Sequence, residues 1–211
     1  PNGFVYDDVL IIQTNTSIQS LDSLPAALVA PYWPGEHGLE LGLWRPTATM
    51  SFALQWAIGD GSPAPFHTVN VIVHVIASLL VLALLLELMS LPAAFAGAIV
   101  FAVHPVHVEA VANVIGFSEL ASTAAVLAAC LLHVRAGPVS TWGSSLLIGL
   151  LYLFGFGAKE SAVTLPGLIF IIDAARDQLG PRDIVRYVRQ RWRTYAVMLV
   201  VAIGLLAGRY A

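Results

Sequence analysis

The sequence predicts an all-α, multi-pass transmembrane protein, and three observations carry that reading. Apolar residues make up 58% of the chain, charged residues only 11%, and the mean hydropathy is +0.80; soluble proteins average about 25% charged. The apolar residues come in continuous Leu- and Ala-rich runs, not in the alternating segments of about ten residues that a transmembrane β-barrel needs. The polar residues that interrupt these runs are concentrated in a few places, most densely in His104–Glu119, HPVHVEAVANVIGFSE. Polar clusters between membrane spans are expensive to keep and mark candidate functional sites.

Residues 1–65 are the least hydrophobic and hold dense turn signals, with Asn-Gly at 2–3, Pro-Gly at 34–35 and Gly-Asp-Gly at 59–61. They predict a large extracytoplasmic loop with short helices, within which Leu43–Ile58 reads as an amphipathic segment lying along the surface. Residues 66–88 form the first span, about the 20 residues that a bilayer core requires. In it His67, Asn70, His74 and Ser78 are spaced three, four and four apart and share one helical face. That stripe either lines a water-filled cavity or supplies helix–helix hydrogen bonds.

Residues 91–103 make a second span. Thirteen residues rise only about 20 Å, less than the roughly 30 Å hydrocarbon core. Either this span starts near Glu87 or its far end stops below the surface and leaves the polar cluster in a recess. His104-Pro105 restarts a helix with proline in its first turn, and Glu109 and Asn113 then share a face. Further spans are expected at 118–134, 142–156, 161–173 and 194–208, making about six. Residues 174–193 form a basic interfacial segment whose arginines at 182, 186, 189 and 193 fall on one face and suit anionic headgroups.

Nine of the ten basic residues are arginine, six of them between Arg176 and Arg193. Arg-rich loops stay cytoplasmic. Fixing 174–194 inside and counting back by parity sends residues 1–65, 104–117 and 157–160 to the opposite face. Asp7, Asp8, the His104–Asn113 cluster and Lys159-Glu160 therefore emerge together.

On that face each group has two readings. Asp7-Asp8 is either a repelling pair, one member of which accepts a proton near neutral pH, or a solvated loop pair or helix cap. His104, His107 and Glu109 have ligand chemistry for a divalent metal, but not the spacing of a strong metal motif; the alternative has His104 capping the helix and His107 packing among headgroups. A metal is not favoured. Lys159, the sole lysine, and Arg45 suit a lipid-linked phosphate; otherwise Lys159 pairs with Glu160 or snorkels, and Arg45 meets a headgroup. The lone Cys130 excludes a disulfide framework, and nucleic-acid binding is not expected.

The ordered motifs FVYDD, WRPT, PFH-x-x-N-x-x-x-H, FAVHPVHVEAVANVIGFSEL and AKESAVTLPGLIFIID closely resemble the transmembrane and tetratricopeptide-repeat O-mannosyltransferases of the GT-C glycosyltransferase superfamily. The resemblance runs from about Gly3 to Asp173. It implies inverting transfer of a sugar, mannose in that family, from a polyprenyl-phosphate carrier to a Ser or Thr hydroxyl of an acceptor protein on the non-cytoplasmic face. It implies Asp7 as general base, Asp8 as an acceptor-holding residue and Glu109 as a second catalytic acid. His67, Asn70, His74, His104, His107, Asn113, Arg45, Lys159 and Glu160 become candidates for substrate contacts.

There are departures: AKE replaces SKE, GFSEL replaces a GR-containing version, WRPT replaces YRPL, and these residues include no tetratricopeptide repeats, which in the family come after the membrane domain. The Arg-over-Lys bias points to a GC-rich bacterium, hence an undecaprenyl-type carrier at an inner membrane, with the ER membrane the eukaryotic equivalent. The chain reads as a fragment of the membrane domain. The alternatives are a transporter or flippase-like protein, which would need polar groups along a whole path, and a non-catalytic membrane scaffold.

Overall fold

The computed structural model describes residues 3–27, 29–36, 38, 42–177, 180 and 183–209, with the side chains of 27, 177 and 209 excepted. Every regular element in it is helical. The first loop holds short turns at Val9–Gln13, Thr16–Ile18, Leu21–Ser23 and Leu24–Ala27. Seven longer helices follow: α1 (Pro46–Gly59), α2 (Ala64–Leu86), α3 (Leu91–Val103), α4 (Phe117–Arg135), α5 (Trp142–Ala158), α6 (Leu165–Asp177) and α7 (Ile184–Arg209).

Proline and capping residues set the boundaries. Pro46, Pro65, Pro92 and Pro166 sit in the first turns of α1, α2, α3 and α6, where the missing N–H is not needed. Helix α1 ends at Asp60, which takes a left-handed conformation (φ 47°). Helix α5 opens on a capping box: the Thr141 hydroxyl accepts from the Ser144 N–H and Ser144 returns the bond. Helix α3 stops at His104, which the following proline drives into an extended conformation (φ −66°, ψ 130°). The chain there bends by 43° into the Pro105–Ala112 segment.

Among the described residues three helices are long and apolar enough to cross a membrane, Ala64–Leu86, Val114–Arg135 and Ile184–Gly208, and the bent pair Leu91–Val103 and Pro105–Ala112 makes a fourth if it is one span. Helix α5 is apolar but has 17 residues and α6 has 13, so they rise about 26 and 20 Å. The six expected spans thus resolve into three or four full-length candidates and shorter helices among them. The segment expected to lie in the interface and the last span form one continuous helix, α7.

Helix α4 is the centre of the bundle. Its apolar window is 61% buried, against 11% for α2 and 22% for α7. Ser118, Ala121, Ser122, Ala125 and Ala129 supply the small buried faces that let neighbouring backbones approach closely. Helix α2 instead exposes Val71, Ile72, Val75, Ile76 and Leu79, and α7 exposes Leu199, Val200, Ile203 and Leu206. Such continuous apolar surface suits lipid.

Two cores divide the interior. One packs Ile11, Ile12, Ile18 and Tyr32 of the first loop against Phe52 of α1, Phe66 of α2 and Phe117 of α4. The expected surface helix at Leu43–Ile58 is therefore corrected: α1 buries Ala48, Phe52 and Ala53 and roofs the bundle. The second core joins Cys130, Ile148, Tyr152, Ile169 and Met198 from α4, α5, α6 and α7.

The end of the bundle away from α1 is tied by ions. Asp173, 1% exposed, accepts from His133 Nε2 at 2.8 Å, from Arg191 Nε at 2.9 Å and from Arg191 Nη2 at 3.1 Å. The guanidinium of Arg193 lies over the rings of Trp142 and Trp192 and donates to the Ser140 carbonyl at 2.9 Å. The arginine face expected to meet headgroups is thus partly consumed inside the protein. Arg186 pairs with Asp183, Arg189 is exposed, and Arg182 lies outside the described residues.

Candidate functional site

A cavity of about 410 Å³ opens where α2, α4 and the 104–116 segment meet the first loop. Its wall includes Tyr32, Arg45, His74, His107, Glu109, Asn113, Ser118, Glu119, Thr123 and Lys159. Six of the expected site residues, Arg45, His74, His107, Glu109, Asn113 and Lys159, are therefore brought together from four separate stretches of sequence.

The cations are held by ion pairs. Lys159 Nζ bonds Glu119 Oε1. Arg45 reaches Glu160 Oε2 through Nε at 3.2 Å and Nη2 at 3.0 Å. Lys159 does not pair with its neighbour Glu160, and the reason is local. Lys159 is extended (φ −157°, ψ 142°), so the two adjacent side chains leave the backbone in opposite directions. Arg45 also stacks over Tyr32, 4.7 Å from the ring centroid, and Tyr32 Oη meets Ser118 Oγ at 3.4 Å. Burial raises the Tyr32 phenol above its ordinary pKa, with Asp8 adding to the effect and Ser118 and Arg45 opposing it. Tyr32 thus stays protonated at neutral pH.

Asp8 is not placed to hold an acceptor. It is fully buried, and its carboxylate accepts from Val5 N at 3.3 Å, Val114 N at 3.3 Å and Ile115 N at 3.0 Å. It clamps the first loop onto the segment that forms the cavity wall at Ile115. The expected acceptor contact is corrected because three backbone donors already use the carboxylate.

Asp7 is exposed, and among the described residues its carboxylate makes no hydrogen bond. Asp7 is not among the residues that line the cavity; its neighbour Asp8 ties the loop that carries it to Val114 and Ile115. Tyr6, just before it, is 89% exposed and left-handed (φ 49°). That conformation costs a non-glycine residue roughly 1–2 kcal/mol, and such strain gathers at functional sites.

The α2 stripe splits. Asn70 is fully buried; its Nδ2 donates to the carbonyls of Asn113 at 2.7 Å and Val114 at 3.3 Å. It supports the wall from behind, so its expected substrate contact is also corrected. His74 Nε2–H donates to the Ala102 carbonyl at 3.0 Å, leaving Nδ1 buried without a partner among the described residues. His67, whose Nε2 is likewise unpartnered, lines a neighbouring cleft of about 460 Å³ with His74, His104 and His107.

His104 Nδ1 accepts from Val106 N at 3.1 Å, capping the turn. The His74 and His107 rings lie 5.3 Å apart, and His107 packs on Phe101 at 4.4 Å. No group of three or more His, Cys, Asp or Glu among the described residues is arranged to hold a metal, so His104, His107 and Glu109 do not form the triad that their sequence allows.

Sequence reasoning missed Glu119, Tyr32, Ser118 and Thr123. Glu119 ends the polar stretch HPVHVEAVANVIGFSE and was open to notice; Tyr32 and Ser118 meet across 86 residues, and no local signal links them.

Comparison with known proteins bears on this geometry. The chain is 36% identical over 169 residues to the protein O-mannosyl-transferase Tmtc1 of Drosophila melanogaster, which covers 77% of the chain and 19% of the relative. Its homologues are TMTC protein O-mannosyl-transferases. It is 31% identical over 214 residues to Tmtc2 of the same fly, across 93% of the chain and 22% of that protein. It is 31% identical over 209 residues to the O-mannosyl-transferase F38B6.6 of Caenorhabditis elegans, across 96% of the chain and 28% of the relative. The chain spans about a fifth to a quarter of the length of these relatives. No family model and no solved structure matches it.

Proposed function

We propose that this chain is part of the membrane domain of a GT-C glycosyltransferase that moves a sugar, mannose by homology, from a polyprenyl-phosphate carrier to a Ser or Thr hydroxyl of a protein. The reaction takes place on the non-cytoplasmic face, which is the periplasmic side of an inner membrane or the lumenal side of the ER. The observation that carries this reading is the placement of Lys159 and Arg45 on one cavity wall with Glu109, Asn113, His74 and His107, beside the loop that bears Asp7.

Two cations can take the charge that grows on a leaving phosphate. The carboxylate, amide and imidazole groups suit sugar hydroxyls, which both donate and accept. Asp7 removes the acceptor hydroxyl's proton as that oxygen attacks the anomeric carbon. The bond from that carbon to the phosphate oxygen breaks on the opposite face, its electron pair leaving with the polyprenyl phosphate, and the configuration inverts.

The ion cluster at the other end of the bundle bears on the transporter alternative. The inner half is not purely apolar: His133, Asp173 and Arg191 are buried there. These groups satisfy one another and so act as a clasp rather than as stations on a path.

The test is sugar transfer from labelled polyprenyl-phosphate mannose by membranes that carry the full-length protein, wild type against Asp7→Asn. Transfer by the wild type and at least about a 100-fold loss in the variant are expected. Equal transfer by both removes Asp7 as the base, and transfer by neither sinks the mannosyltransferase reading.

A further inference from the structure

Each cation of the cavity already has a carboxylate partner inside the protein: Lys159 has Glu119, and Arg45 has Glu160. Glu109 adds another negative group to the same wall. An anion that enters therefore meets no surplus of positive charge and has to compete with Glu119 and Glu160 for the same N–H donors. The pairs are built so that exchange is possible. The side chains of Lys159 and Glu119 are 28% and 46% exposed, so water screens their attraction. Arg45 spends both of its bonds on one oxygen, Glu160 Oε2. Glu160 Oε1 is buried and finds no donor among the described residues. Arg45 is held from the other side by the Tyr32 ring, so it keeps its place when its carboxylate partner moves.

A carboxylate that gives up its cation needs another donor, because an unpaired acceptor at a desolvated site is costly. A bare phosphate has no donor to offer beyond its own acidic proton. A phosphate that carries a sugar brings several hydroxyls. We propose, on the strength of the transferase reading above, that Glu119 and Glu160 are positioning and specificity-determining residues. They surrender Lys159 and Arg45 to the phosphate of a sugar-bearing donor, accept its sugar hydroxyls in return, and reclaim the cations from the sugar-free phosphate after transfer. The pair of carboxylates thus favours the loaded carrier over the spent one, which would otherwise bind the two cations more tightly through its extra negative charge.

The experiment measures binding to the full-length protein in nanodiscs. The probes are farnesyl phosphate, farnesyl-phosphoryl-mannose and inorganic phosphate, the last separating a lipid-linked from a free anion. Glu119→Gln and Glu160→Gln should each tighten farnesyl phosphate by about two- to five-fold, the worth of one partly exposed ion pair. The sugar-bearing ligand should gain less or weaken, so that the preference for it narrows. Inorganic phosphate should stay far weaker than farnesyl phosphate throughout. In transfer assays the glutamine variants should show a lower inhibition constant for farnesyl phosphate together with a lower kcat, because product leaves more slowly. Lys159→Gln should weaken both lipid ligands, and adding Glu119→Gln to it should restore no gain.

Parallel weakening of both lipid ligands in Glu119→Gln, or a gain that persists without Lys159, overturns the exchange while leaving the transferase reading intact. A wild-type protein that binds farnesyl phosphate and inorganic phosphate alike and ignores the sugar-bearing ligand overturns the exchange and the transferase reading together.

Discussion

Replacing Asp7 and Asp8 one at a time by asparagine separates chemistry from architecture. Asp8 is fully buried and accepts three backbone N–H groups, Val5 and Val114 on Oδ2 and Ile115 on Oδ1. In Asp8→Asn one carbonyl oxygen remains for Val5 and Val114, while the new NH₂ faces the Ile115 N–H, donor against donor. One unpaired buried donor costs about 1–3 kcal/mol, and the two surviving bonds lose their charge assistance. Together these give a loss of about 2–4 kcal/mol, felt where the first loop docks on the cavity wall. Asp7 is exposed, and among the described residues its carboxylate has no hydrogen-bond partner, so Asp7→Asn should change stability by no more than about 0.5 kcal/mol while abolishing transfer. The assay is thermal unfolding of the full-length protein in detergent, limited proteolysis of residues 3–27, and transfer activity on the same preparations. Asp8→Asn should expose the first loop to protease, and Asp7→Asn should leave its cleavage unchanged. A stable Asp8→Asn protein with a protected loop would refute the clamp, and an Asp7→Asn protein as unstable as Asp8→Asn would refute the division of roles.

Other substitutions probe the scaffold. Arg191→Leu strands Asp173 in the interior and should cost about 3–5 kcal/mol, whereas the joint change Arg191→Leu with Asp173→Leu should recover much of the loss; chemical denaturation in mixed micelles reads the difference, and a single variant no worse than the double one would contradict the clasp. Gly116→Ala would bring a Cβ to 2.1 Å from the Ala110 carbonyl oxygen, with backbone atoms next nearest. No side chain can yield there, so a loss of about 1–3 kcal/mol is expected, and an unchanged melting temperature would show that the 110–116 turn shifts freely.

The all-α, multi-pass class and the gathering of polar groups around one cavity were legible in the sequence, because both rest on properties that survive without tertiary detail. Hydropathy sets where a helix enters lipid, and the alternation of helices brings the polar ends of α2, α3, α4 and α5 together. Helix-stopping chemistry was legible too: His104 before Pro105 ends α3 as a residue before proline should. What the sequence hid was the choice of partner. Lys159 and Glu160 look like a pair because they are adjacent, yet the extended backbone at Lys159 sends their side chains apart and matches them to Glu119 and Arg45, 40 and 115 residues away. Asp8 looks like half of a repelling dyad because Asp7 is its neighbour, yet its donors lie as far as 107 residues along the chain. Arg191 looks like one more interfacial arginine because the segment is basic, yet it is 4% exposed and bound to Asp173. These cases share a cause. In an apolar bundle an isolated charge cannot remain unpaired at low cost, so the few charges present are driven to whichever partner the helix packing brings within reach. A sequence reading that assigns them by proximity along the chain therefore gathers Arg45, Glu109 and Lys159 at one cavity but mispairs the charges, and under the proposed function the pairing decides which carboxylates an incoming phosphate must displace.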